Sequence, residues 1–128
     1  MRIDVVPTVS VNEVKFGMDR KQVRALLGEA KEFRKAQYDE NTTDDFGFCH
    51  VFYDAEDKCE AIEIFDNAEV YVEGKLIFPI DLSTALEIIN DFEQDDDGLT
   101  SYSLSIGIYA PDDEPESILF GITGYYDE

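Results

Sequence analysis

Apolar positions in this chain follow two different periods. In "FGMDRKQVRALLG", from Phe16 to Gly28, they recur at helical spacing, with Val23, Leu26 and Leu27 on one stripe. Asp19 stands at the N-cap position and Gln22, three residues on, completes a capping box, while Gly28 provides a left-handed stop. A helix of two to three turns does not persist alone in water, so this stripe is expected to lie on other apolar residues. Arg20, Lys21 and Arg24 would then project outward. The same order of cap, stripe and stop returns in "FPIDLSTALEIIN", where Phe78, Asp81, Ala85, Ile88, Ile89 and Asn90 align with Phe16, Asp19, Val23, Leu26, Leu27 and Gly28.

Elsewhere the period is two. In "SYSLSIGIY", Tyr102, Leu104, Ile106 and Ile108 fall on one side and Ser103, Ser105, Gly107 and Tyr109 on the other. In "SILFGITGY", Ile118, Phe120 and Ile122 share the core side, opposite Leu119, Gly121, Thr123 and Tyr125. "FYDAEDKCEAIEIF" aligns with "IYAPDDEPESILFG". Carried back along that alignment, the parity turns Phe48, His50, Phe52, Ile62 and Ile64 inward and Cys49, Val51, Tyr53, Ala61, Glu63 and Phe65 outward. "AEVYVEGKLIF" reads as a further hairpin turning at Glu73 and Gly74. These patterns predict one α+β domain of two tandem helix-plus-hairpin units, about 12–66 and 67–128, with both helices on one face of an antiparallel sheet.

The other face of that sheet would carry small residues at its middle and Tyr53, Phe65, Tyr109, Leu119 and Tyr125 around them. Glu63 and the hairpin tip Asp112, Asp113 and Glu114 would fringe it with negative charge. An uncovered sheet face is ordinarily polar. Tyrosines with acceptors around them suit a protein-binding surface instead.

The helix "FGMDRKQVRALLGEA", with Gly-Met before its cap and Leu-Leu-Gly at its end, resembles the helix signature of the β-lactamase inhibitor protein fold and of the related small lipoprotein of the outer-membrane assembly machinery. The resemblance implies two tandem helix-plus-sheet units whose concave sheet face grips another protein. In size, charge and architecture the chain is also similar to the immunity proteins that guard bacteria from their own polymorphic toxins, many of them basic nucleases.

Charge sharpens the choice of partner. The 128 residues carry a formal net charge of -20, although 44% are hydrophobic, so there is material for a core despite the repulsion. Residues 1–35 hold eight Lys or Arg against five acids, and residues 36–128 hold two Lys against twenty-five acids. Such a field repels nucleic acid and anionic membrane and speeds the approach of basic proteins. No apolar run reaches the eighteen or so residues of a membrane span, and the first residues lack the regions of an export signal. A cytoplasmic location is expected.

Candidate chemistry is sparse. No phosphate-cradling glycine loop, GxSxG or nucleophile–base pair stands out, and the one histidine, His50, has the strand parity of a core residue. No catalytic residue, cofactor or metal ligand is therefore expected. Cys49 and Cys59 lack CxxC spacing and read as reduced structural thiols. Whether they face one another depends on a loop whose length the residue count leaves open. Glu93, Asp95, Asp97 and Gly98 match the first, third, fifth and sixth places of an EF-hand loop, but Leu104 stands where its bidentate glutamate belongs. The function expected is that of a non-catalytic acidic binding module, an immunity-type inhibitor of a basic partner. The alternative is an accessory or adaptor domain whose acidity serves solubility. Oligomeric state is not legible.

Overall fold

A computed structural model describes residues 1–39, 41–65 and 68–127. Five strands make a small sheet: β1 (Arg2–Val6), β2 (Ser10–Val11), β3 (Val14–Lys15), β8 (Glu69–Val72) and β9 (Lys75–Phe78), in the order β3-β2-β1-β8-β9. Eight make a large one: β4 (Lys31–Phe33), β5 (Thr43–Asp45), β6 (Cys49–Tyr53), β7 (Cys59–Ile64), β10 (Glu93–Asp95), β11 (Gly98–Ser101), β12 (Ile106–Tyr109) and β13 (Ser117–Gly121). Its order is β10-β11-β12-β13-β7-β6-β5-β4, antiparallel throughout. The helices are short: α1 (Arg20–Leu27) has eight residues and α2 (Leu82–Ile88) seven.

The α+β domain of two tandem helix-plus-hairpin units is therefore corrected. The fold is mostly β, and the two helices do not by themselves pave a single sheet. The segment at 2–15, which shows no helical stripe, forms three strands, and β1 runs parallel to β8, with Ile3 beside Val70 and Val5 beside Val72. That pairing joins residues more than sixty positions apart, so no local period announces it. Ile3, Val5, Val70 and Ile77 from the small sheet meet Val51, Ile62, Ile64, Ile106, Ile118 and Phe120 from the large one in a single buried cluster, which Val23 of α1 and Ala85 of α2 also join.

Local signals that rest on backbone chemistry hold. Asp19 accepts from the Gln22 N–H while the Gln22 side chain accepts from the Asp19 N–H, and Gly28 sits at φ 95° after α1. Asp81 caps α2 by accepting from the Thr84 N–H. Residue 89, not Asn90, closes α2, and it does so in an extended conformation without a left-handed stop. The β8–β9 hairpin turns at Glu73 and Gly74 as the pattern requires, both with positive φ.

Strand parity is corrected in β6. Every residue of "CHVFY" is apolar or amphipathic, so hydrophobicity alone does not choose its inner face. Pairing with β7 chooses it: Cys49 lies opposite Ile64 and Val51 opposite Ile62, which puts Cys49, Val51 and Tyr53 in the core and turns His50 and Phe52 to the far side. A register shift between Phe52 and Tyr53 places Tyr53 opposite Cys59. Both thiols are free and buried. Ile122, expected on the core side, lies beyond β13 and is 38% exposed.

Candidate functional site

The basic helix resolves first. Arg20 and Arg24 do not stand in solvent; they converge on Asp44, which β5 carries to the core side of the large sheet with no exposed surface. Arg24 donates to both Asp44 oxygens, Nε to Oδ2 at 2.8 Å and Nη2 to Oδ1 at 2.6 Å, and Arg20 Nη1 donates to Oδ1 at 3.2 Å. Tyr53 Oη donates to Oδ2 at 2.9 Å, and its ring lies 4.1 Å beneath the Arg20 guanidinium. Arg20 spends its remaining donors on Asp57, Thr42 and Asn41. Glu32, opposite Asp44 on β4, accepts from Arg24 and Thr42.

Desolvation pushes the Asp44 carboxyl up, but hydrogen bonds from Arg24 and Tyr53 and the charges of Arg20 and Arg24 outweigh it, so its pKa is lowered. Burial, then the hydrogen bond to Asp44, raises the Tyr53 phenol well above its ordinary value. The knot is a densely hydrogen-bonded clasp in which two arginines and three carboxylates hold α1 to β4–β5. Arg20 and Asp44 are thus structural, and Tyr53 leaves the list of partner-binding residues because it is 5% exposed.

The other face of the large sheet is a different surface. Thr100, Gly107, Leu119, Glu63, His50 and Asp45 form one lateral row across six strands, and Gly121, Ala61, Phe52, Thr43 and Phe33 form the next. His50, predicted to be buried, stands here with its ring centroid 4.6 Å from that of Phe65 and 5.0 Å from that of Phe33, both edge-on. Its Nε2 is 3.8 Å from Asp45 Oδ1. Lys35 lies over the Phe52 ring.

The chain reaches over the middle of this face from its own C-terminal side. After β13, a turn at 122–127 folds back so that Tyr125 lies on Gly121 and Tyr126 on Gly107. A Cβ at Gly121 would stand 2.6 Å from Tyr125 Cβ, and one at Gly107 would stand 2.1 Å from Tyr126 Oη. The small central residues thus receive the protein's own tyrosines, which form a ridge with edge-to-face rings 5.3 Å apart. Burial raises the pKa of both phenols. On one side of the ridge is a hollow of about 640 Å³ bordered by Phe52, Tyr125, Lys35, Asp39, Asp54 and Glu60. On the other is one of about 210 Å³ between Tyr109 and Tyr126, with Glu63, Asp95 and Asp97 at its wall.

Of the residues expected to bind a partner, Glu63, Phe65, Tyr109 and Leu119 share this face; Tyr125 reaches it through the terminal turn, not from a strand. Asp112, Asp113 and Glu114 are exposed at the β12–β13 tip. Sequence parity missed Phe33, His50, Phe52 and Tyr126. A second Tyr directly after Tyr125, beyond Gly124, was the available sign that the chain turns back there. The acidic stretch at Glu93–Gly98 forms the β10–β11 hairpin, where Asp95 Oδ1 accepts from the Asp97 N–H and Asp95 pairs with Gly98. Among the described residues no three of His, Cys, Asp and Glu converge to hold a metal ion, and no helix is long and apolar enough to cross a membrane. Compared with protein-family models, with curated proteins and with solved structures, the chain matches none.

Proposed function

We propose that this protein is a non-catalytic binding module that holds a basic protein against the outer face of its large sheet, in the manner of an immunity-type inhibitor. One observation carries the reading: the outer face, where polar side chains are the rule, presents Phe33, Phe52, Phe65, Leu119, Tyr109 and the Tyr125–Tyr126 ridge. Half-buried aromatics of this kind give a partner rigid contact area at small entropic cost. Glu63, Asp45, Asp95 and Asp97 border them, within a molecule of net charge -20, so a basic partner is drawn in and a polyanion turned away.

The test is site-directed photo-cross-linking in cells that express the chain. A benzophenone side chain at Phe33, Thr100 or Tyr109 is expected to trap one basic protein, while the same group at Val6 of β1 or Val9 of the β1–β2 turn, both exposed, traps none. With both proteins purified, the association rate is expected to fall about tenfold or more between low and high salt. Equal trapping from both sheets, or association with a neutral protein at a salt-independent rate, would overturn the reading.

A further inference from the structure

We infer that the smaller hollow, between Tyr109 and Tyr126, is the seat of an arginine side chain from the partner. This rests on the binding reading above and says where and by what chemistry the docking is specified.

The hollow lies between two tyrosines at the β11–β12 side of the outer face. Tyr109 of β12 lies opposite Gly98 of β11, and Tyr126 lies over Gly107, in the place a side chain there would take. Neither glycine is free to change. A Cβ at Gly98, whose φ is +142°, would lie 1.9 Å from the Ile108 carbonyl oxygen, and one at Gly107 would meet the Tyr126 hydroxyl. The depression has a volume of about 210 Å³ and is lined by Tyr109 and Tyr126, with Gly98, Leu119 and Thr100 beside them.

Its size and charge select the guest. Pockets that take a whole small molecule run from roughly 300 to 1,000 Å³, so this one suits a single side chain. Glu63, Asp95 and Asp97 line it and no Lys, Arg or His does. Glu63 is set in place by Ser117, whose hydroxyl donates to Oε2 at 2.7 Å, and Asp95 by the Asp97 N–H. A bare divalent cation is a poor guest, because hard cations need six to eight oxygens drawn in to about 2.3–2.6 Å, and these carboxylates do not converge that way. A guanidinium matches the lining better, because its planar face stacks on aromatic rings and its edge donors pair with carboxylates, and tyrosines and carboxylates are what line the hollow. Lysine satisfies the charge but not the planar, forked geometry. The larger hollow, which includes Lys35, lacks this selectivity.

The experiment uses the purified full chain, ¹⁵N-labelled, titrated with N-acetyl-arginine amide. The neutral isostere N-acetyl-citrulline amide and N-acetyl-lysine amide serve as comparisons. Saturable millimolar binding is expected, with shifts centred on Thr100, Gly107 and Leu119, at least threefold weaker for the lysine probe and absent for citrulline. E63Q with D97N is expected to weaken the arginine probe at least fivefold while leaving the remaining amide spectrum in place. Y109L, which keeps the charges and removes the ring, is expected to weaken it at least threefold. Shifts spread over the acidic surface at large, equal response to citrulline, or unaltered affinity in both variants would overturn the assignment. The two readings fail separately. Face-specific cross-links with no arginine seating leave the binding module standing without this seat, whereas arginine seating with no face-specific partner leaves the seat and removes the module.

Discussion

Replacing Asp44 is the most direct probe of what holds the molecule together. Its carboxylate has no exposed surface and accepts from Arg20, Arg24 and Tyr53. In D44A, Arg24, whose side chain is 37% exposed, can turn to water and Glu32. Arg20 cannot. It is 8% exposed and keeps Asp57, Thr42 and Asn41, so its charge loses one of two carboxylate contacts inside hydrogen-bond distance without gaining solvent. Breaking a buried pair from one side costs about 3–5 kcal/mol, and the abandoned Tyr53 hydroxyl falls within that figure at about 1–3 kcal/mol. Urea denaturation at neutral pH should therefore show D44A less stable by about 3–5 kcal/mol with an unchanged m-value. D44N, which keeps an acceptor for one donor, should fall between D44A and the parent.

The acid limb offers an independent check on the same carboxylate. Because the folded pKa of Asp44 is depressed, its stabilisation is fully present above the unfolded value of about 3.9 and is lost as pH falls through the lower folded value. Glu32, lowered chiefly by its hydrogen bond from Thr42 and then by that from Arg24, acts in the same direction. The loss of stability below about pH 4 should then be shallower in D44N than in the parent. A D44A protein within about 1 kcal/mol of the parent, the range of an exposed ion pair, or superimposable acid limbs, would refute the clasp.

Three further outcomes follow from particular contacts. G98A should destabilise by about 3 kcal/mol or more, since backbone strain and overpacking each cost about 1–3 kcal/mol and the obstructing atom is a main-chain oxygen that has no rotamer to change. G121A should cost about 1–3 kcal/mol and expose Tyr125, read as a larger change in near-ultraviolet circular dichroism than in far-ultraviolet, because the obstruction is a side chain on a terminal turn. Burial pushes the Cys49 and Cys59 thiols up to about 12, so neither should react with a thiol reagent at neutral pH until the protein unfolds. Their raised values make protonation a stabilising feature below the unfolded thiol pKa of about 8.5, and this declines as pH climbs toward about 12. A native protein labelled at the unfolded rate would contradict the burial.

What the chain determines by itself is what adjacent residues settle among themselves. The capping box of Asp19 and Gln22, the stop at Gly28, the cap at Asp81 and the turn at Glu73–Gly74 are all local hydrogen bonding and φ preference, and each forms as its residues dictate. The parity read for "SILFG" also holds, with Ile118 and Phe120 fully buried and Leu119 turned to the other face.

Tertiary structure decided the rest, because the deciding partners are far apart in sequence. The parallel pairing of β1 with β8 puts residues 2–6, which carry no helical stripe, at the centre of a second sheet. In β6, the residues of "CHVFY" are all apolar or amphipathic and mark no outer side, so pairing with β7 chose it and exchanged His50 and Phe52 for Cys49 and Tyr53. Arg20 and Arg24 read as a solvated face until β5 brings Asp44 beneath them, since a charge is buried only where an opposite one comes to meet it. The outer face drew four of its expected residues from alternation and took its shape from a turn: Tyr125 and Tyr126 settle on Gly121 and Gly107, where a Cβ would stand in their place, a complementarity that exists once the strands are side by side.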